Sequence, residues 1–283
     1  MRISPLPLAL LLLATLPVAA QSQTPAPLVN PTGQAPAEQA AAKQSAPQAG
    51  GALNPNSSVD DVLDALDARG RNLREFVADV SLTESDEATG FDSVRTGHVW
   101  YQKLKDDDRI RVTFDQKLEG RFAKDDKVEY LLSRGWLWDR NYARSVEVKR
   151  QVLKPGEKVN LLKLGEGPFP LPIGQSKEEV HKEFDVAKAE PGADAPKGTV
   201  HVTLKPREGT RLATKFKVIE VWVDPKTNMP VRIEALDANE TTRRTTDMTN
   251  IKVNPQPPLG DRDFALPQID ENKWEKHTEP YED

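Results

Sequence analysis

From Ser93 to Phe114 the chain reads SVRTGHVWYQKLKDDDRIRVTF, two alternating runs on either side of a charged turn. Val99 and Tyr101 share a side with Lys103, while Trp100 and Gln102 point the other way. In the second run Ile110, Val112 and Phe114 alternate with Arg111 and Thr113. Period-two alternation marks a sheet whose two faces differ. Lys105, Asp106, Asp107 and Asp108 make the connection too polar to bury. One face of this hairpin is therefore expected to line an apolar cavity, with Lys103 at its rim.

Similar runs follow along the chain at regular spacing. Phe76, Ala78, Val80 and Leu82 alternate with Val77, Asp79, Ser81 and Thr83. Gly120 to Ala123 and Lys127 to Leu132 are expected to pair across a Lys124-Asp125-Asp126 turn. Further strands are expected at Gly135 to Trp138, Arg144 to Val152, Phe184 to Ala189, Thr199 to Leu204 and Lys215 to Val223. Asp224 to Asn228 then turns into Pro230 to Leu236, and Glu240 to Val253 is a longer, threonine-bearing strand. Short strands separated by turn signals favour a curved antiparallel sheet over alternating βαβ units.

Two stretches break the pattern. Ser57 or Ser58 can cap a helix in which Val59, Val62, Leu63 and Leu66 share one side, and Asp60 and Asp61 suit the positive end of its dipole. Gly70 is expected to mark the end of this helix or a bend. The run Phe169-Pro170-Leu171-Pro172-Ile173-Gly174 is apolar, yet its prolines keep it out of a sheet interior. Phe169, Leu171 and Ile173 either join the core or cover a cavity mouth. Helical character returns from Gln175 to Glu183.

The N-terminus speaks to the compartment. Arg2, the apolar run Leu8 to Leu16 and the small residues Val18-Ala19-Ala20 form the three-part pattern of a secretory signal peptide, too short to span a membrane. Residues 21–56 are rich in Ala, Pro, Gln, Gly and Ser and read as a disordered linker. The 283 residues contain no cysteine. An exported protein without thiols has no disulfide framework and no site for a bacterial lipid anchor. The expectation is a periplasmic protein that is not itself lipidated. A net charge of −5 with scattered Lys and Arg argues against a nucleic-acid partner.

Catalytic signatures are missing from the sequence. There is no G-x-S-x-G elbow, P-loop, H-E-x-x-H or dinucleotide fingerprint. His98, His181, His201 and His277 stand far apart, without metal-ligand spacing. His98 and His201 read as ordinary sheet residues, and Asp106 to Asp108 as a solvated tip without the Gly and closing Glu of a calcium loop. No catalytic residue, cofactor or metal is expected.

In order along the chain, several short motifs are similar to those of the LolA family of periplasmic lipoprotein carriers. They are the N-terminal helix followed by Phe76-x-Ala78, then Gly97-His98-Val99-Trp100-Tyr101-Gln102-Lys103 and Gly135-Trp136-Leu137-Trp138-Asp139. Pro168-Phe169-Pro170-Leu171 comes next, then Val221-Trp222-Val223-Asp224 with Pro230-Val231-Arg232-Ile233, and finally Asn250-Ile251 and Phe264-Ala265-Leu266-Pro267. The resemblance covers roughly Ser57 to Pro267. It implies an open, incomplete antiparallel β-barrel, mostly β with covering helices (α+β), with a helical lid over an apolar cavity. Where the family's lid latch has Arg-Pro, this chain has Lys103-Leu104, and lysine lacks the planar fork that bridges several carbonyls.

The reading that follows divides the chain into a signal peptide (1–20), the linker (21–56), a half-barrel domain (57–270) and a charged, frayed tail (271–283). Val99, Tyr101, Ile110, Val112, Phe114, Trp136, Trp138, Ile219 and Val221 are the expected cavity wall. Val62, Leu63, Leu66, Lys103, Phe169, Leu171 and Ile173 are the expected lid. The function expected is a soluble, monomeric, non-enzymatic carrier of acylated lipoprotein or lipid cargo. The resemblance implies an inner-membrane lipoprotein-releasing transporter and an outer-membrane receptor as its partners. The alternative is a ligand-sensing regulator of an envelope stress response on the same fold, and a third reading is a ligand-free envelope protein with a filled interior.

Overall fold

The computed structural model describes residues 53–281 except 106, 155–156, 158–160, 163–172 and 191. The expected signal peptide, most of the linker, Phe169 and Leu171 lie outside the described residues. In chain order the elements are α1 (Val59–Asn72), β1 (Glu75–Asp86), β2 (Phe91–Lys103), β3 (Asp108–Glu119), β4 (Phe122–Ser133), β5 (Trp136–Asn141) and β6 (Val146–Gln151). They continue with α2 (Lys177–Glu183), β7 (Phe184–Ala189), β8 (Val200–Pro206), β9 (Phe216–Asp224), β10 (Met229–Asp237), β11 (Thr242–Val253), a 3-10 turn (Asp261–Phe264) and β12 (Glu275–Glu279).

All twelve strands form a single open sheet, in the order β12-β6-β5-β4-β3-β2-β1-β11-β10-β9-β8-β7. The sheet is not closed into a barrel. Two meanders compose it, β1 to β6 and β7 to β11, joined where β1 pairs antiparallel with β11. Every pairing is antiparallel except that of β12 with β6.

Register decides which residues share the inner face. Phe76 pairs with Tyr101, Ala78 with Val99 and Val80 with Gly97. Tyr101 then faces Ile110, Val99 faces Val112 and Gly97 faces Phe114. In the other half Ile233 pairs with Val221 and Ala235 with Ile219, while Val202 and Leu204 continue the same face. Gly97 has a steric reason to be glycine, because a β-carbon there would lie 1.7 Å from the Thr113 carbonyl oxygen.

Both helices begin with a capping box. The Ser58 hydroxyl accepts from Asp61 N–H and the Asp61 carboxylate accepts from Ser58 N–H; Ser176 and Glu179 repeat the arrangement in α2. α1 turns Val62, Leu63 and Leu66 into the apolar cluster, and Leu73 just past its end joins them, each 1% exposed or less. Gly70 neither ends nor bends α1, which runs on to Asn72. It is a point of close approach: a β-carbon at Gly70 would lie 2.3 Å from Gly174 Cα, and Gly174 N–H donates to the Leu66 carbonyl at 3.3 Å.

Two further expectations are corrected. Lys124-Asp125-Asp126 is no turn. β4 continues through it, with Lys124 opposite Lys117 and Asp125 opposite Gln116, and the register shifts just beyond, before Val128 meets Phe114. The reversal comes earlier, at Gly120, whose φ is 60°. Charges of the triplet belong to strand-end ion pairs, among them Lys124 with Glu119 and Arg95 with Asp126 at 3.2 Å. The tail is not frayed along its length either. Glu275–Glu279 adds β12 to the edge of β6, Trp274 packs edge-on against Tyr142 at 5.1 Å, and Glu279 pairs with Arg150.

Between β11 and β12 the chain crosses the outer face as a strap. Gln102 Nε2 donates to the Leu259 carbonyl at 3.0 Å, Arg111 Nη1 to that of Asp263 at 2.9 Å and Arg140 Nη1 to that of Pro267 at 2.6 Å. Arg109 pairs with Asp261 and lies 4.2 Å from the centre of the Phe264 ring. Polar side chains of an outer face are thereby covered and satisfied.

Candidate lipid-binding face

Val99, Tyr101, Ile110, Val112, Phe114, Ile219 and Val221 all belong to one buried apolar cluster with Val62, Leu63, Leu66 and Ile173. The strands place the first seven because period-two residues in register stack across a sheet. The helix places Val62, Leu63 and Leu66 because positions three and four apart share a stripe. Along β1 the apolar part of this face runs from Phe76 to Leu82, about 20 Å at strand rise.

Polar groups bound it at both ends. At one end the Tyr101 hydroxyl donates to Asp108 at 2.8 Å. Burial pushes the Asp108 carboxyl up from its ordinary range, against the Tyr101 hydrogen bond and the Lys103 charge. At the other end Arg244 Nε binds Glu84 at 2.9 Å, and Arg95 links Glu84 at 3.9 Å to Asp126 at 3.2 Å. An apolar strip closed by polar ends suits one extended apolar chain better than a compact ligand.

Trp136 and Trp138 do not belong to this face. Leu137, not its neighbours, points inward opposite Leu132. The tryptophans lie on the outer face, where the Lys149 ammonium sits 4.5 Å from the Trp136 ring centre and 5.1 Å from that of Trp138. Alternation establishes only that the two share a face, and a lysine stem and cation can cover tryptophan as well as a core can.

Lys103 ends β2 opposite Asp108, on the side of Tyr101. Its backbone N–H donates to the Arg74 carbonyl oxygen at 2.7 Å, and its side chain is exposed. Among the described residues its ammonium bonds no α1 carbonyl, and the charge it acts on is that of Asp108. The contacts that hold α1 down lie elsewhere. Lys177 in α2 reaches Asp64 at 3.1 Å and Asp60 at 3.9 Å, His181 reaches Asp60 at 3.3 Å, and Gly174 meets Gly70. None of these is legible as a latch in the sequence, since each pairs residues about a hundred positions apart.

Among the described residues no three His, Cys, Asp or Glu come together as a metal site, and no helix is long and apolar enough to cross a membrane. A second inner-face carboxyl, besides Asp108, is perturbed. Asp139, opposite Tyr130 on β4, is pushed up to about 6 by burial, with Arg150 acting the other way.

No protein-family model matches the sequence, and no curated protein does. Several solved structures are similar at low identity. An uncharacterized conserved protein from Thermus thermophilus has a TM-score of 0.43 at 12% identity, covering 78% of this chain and 98% of that one. MucB in the MucA/MucB complex of Pseudomonas aeruginosa has 0.42 at 12%, covering 74% of this chain and 60% of that one. A LolA superfamily protein from Nitrosomonas europaea has 0.34 at 11%, covering 74% and 98%. All three likenesses are distant, and the site's chemistry rests on its own residues.

Proposed function

We propose that this chain binds the acyl chains of a lipoprotein or similar lipid on the inner face of its sheet, beneath α1, and carries them through the envelope without catalysing a reaction. The observation that supports this is the nature of the cover. Among the described residues the apolar inner face is covered by helices and not by a second sheet, and the side-chain fastenings of α1 to α2 are ion pairs open to solvent. Such pairs are each worth about 0–1 kcal/mol.

The magnitudes fit reversible capture. Burying a 16-carbon chain is worth roughly 12 kcal/mol at ~0.8 kcal/mol per methylene. Displacing Val62, Leu63 and Leu66 costs about 2 kcal/mol each, or roughly 6 in total. About half of the gain is thereby offset, so cargo is held and can still be released. A cover that fills the face when no cargo is present acts as a competitor built into the chain.

The absence of native cysteine allows a direct test. Asp64→Cys and Lys177→Cys, joined by a short bismaleimide, pin α1 to α2. The unlinked double variant is expected to take up a fluorescent triacylated lipopeptide and the linked one to lose at least tenfold in affinity. Equal uptake by both, or no uptake by the unlinked protein, would sink the proposal. Carriage and sensing share this binding step, and transfer of the bound lipopeptide to acceptor vesicles separates them.

A further inference from the structure

On the outer face, β11, β1 and β2 form a groove of about 620 Å³ that the acyl-binding reading does not use. Its floor is made by a bulge. Asp79 pairs with Thr249 and Val77 with Lys252, so Asn250 and Ile251 together stand opposite Ala78. Asn250 takes a φ of 51° there, and its Nδ2 donates to Asp79 Oδ2 at 2.6 Å. His98 lies 2.8 Å from the other oxygen, Asp79 Oδ1, through Nδ1. These two hydrogen bonds, Asn250 first, hold the Asp79 carboxyl below its ordinary range. An ionised carboxylate only accepts, so Nδ1 carries a proton, and Nε2 is the ring nitrogen left for a ligand.

The groove thus presents an oriented set of groups. Each Asp79 oxygen keeps a free lone pair, the Asn250 amide keeps its carbonyl and one N–H, and Lys252 adds a donor at the edge. Trp100 forms a wall, its ring 5.8 Å from that of His98. Arg111, opposite Trp100 on β3, holds its guanidinium over the Trp100 ring at 5.1 Å from the centre, which leaves one indole face to be covered by a ligand. Val77 and Ile251 complete the lining.

We propose that this groove binds a saccharide, with a sugar ring stacked on Trp100 and adjacent hydroxyls held by Asp79, Asn250 and His98. A sugar has an apolar face of C–H groups and a rim of hydroxyls that both donate and accept, which is the complement of one indole beside a carboxylate, an amide and an imidazole. Other ligand classes fit less well. An acyl chain would strip water from Asp79 without replacing its hydrogen bonds, and a phosphate would meet the carboxylate's charge at the centre of the site. A bulge that re-aims side chains is a common device beside binding sites.

The test uses the full chain and a panel of soluble oligosaccharides: chitotetraose, cellotetraose and maltotetraose. Saturable binding of at least one is expected by tryptophan fluorescence and by saturation-transfer NMR. Trp100→Ala and Asp79→Asn are each expected to weaken it at least tenfold, and Trp138→Phe to leave it unchanged. Circular dichroism confirms folding, and if Trp100→Ala does not fold, Asp79→Asn with His98→Gln decides. Lipopeptide uptake on the inner face is expected to survive all of these substitutions, so the two sites fail separately. No saturable binding below about 10 mM, or binding indifferent to Asp79→Asn, would overturn the proposal.

Discussion

Glu129 lies on the outer face of β4, fully buried, with Arg111 Nε donating to one oxygen at 2.7 Å and the Tyr142 hydroxyl to the other at 2.7 Å. Arg111→Met strands that carboxylate. The expected loss is about 3–5 kcal/mol in urea unfolding, most of it recovered by adding Glu129→Leu. Failure of the second change to restore stability would show that the guanidinium acts through its other contacts. Asp139 offers a pH test. Its folded value near 6 lies above the ordinary 3.8, so the folded state binds the proton more tightly and stability falls as pH rises from about 4 to 6. Asp139→Asn is expected to stabilise by about 2 kcal/mol at pH 7.5 and by almost nothing at pH 3.5, read from thermal midpoints. At this scale the sequence is partly legible. Alternation identifies Val99, Tyr101 and Ile110 as companions, because period two is a local property. It does not say that Trp136 and Trp138 face outward, nor that Glu129 is covered, because the first depends on register with β4 and on Lys149 of β6, and the second on Arg111 and Tyr142 converging from other strands.

α1 and the strap are the elements whose behaviour matters most. Gly70→Ala places a methyl where Gly174 Cα already lies. The expected result is a destabilisation of about 1–3 kcal/mol and increased binding of a hydrophobic dye, as α1 is lifted from the inner face. A dye signal unchanged from the parent chain would mean that the backbone elsewhere absorbs the methyl. Removal of residues 268–283 takes away β12 and Trp274. It bares the edge of β6 and one side of Tyr142, and concentration-dependent association is expected by light scattering, since open strand edges recruit one another. The start of α1 is readable to within a residue, at Ser57 or Ser58, because caps are local chemistry, and the structure settles it on Ser58. The charged triplet in β4 misleads for the complementary reason. Composition marks it as a turn, while its partners across the sheet make it a strand.

In the whole molecule the meander β1 to β6 is built from sequence neighbours, and so is the meander β7 to β11. The seam between them is the exception. Phe76 pairs with Val253, and Asn254 Oδ1 accepts from the N–H groups of Arg74 and Glu75 at 2.9 and 3.1 Å while its Nδ2 reaches the Asn72 carbonyl at 3.2 Å. That seam ties the end of α1 to the end of β11 across 180 residues of sequence. Contacts so distant in sequence form slowly, because the loop they close must be ordered first. Asp79, His98 and Trp100 come from one side of this seam, and Asn250, Ile251 and Lys252 from the other. A chain that folds in order of synthesis would therefore complete its first meander and still have no outer groove. The groove comes into being only when residue 250 arrives and the seam zips, which makes its appearance a clock for the joining of the two meanders.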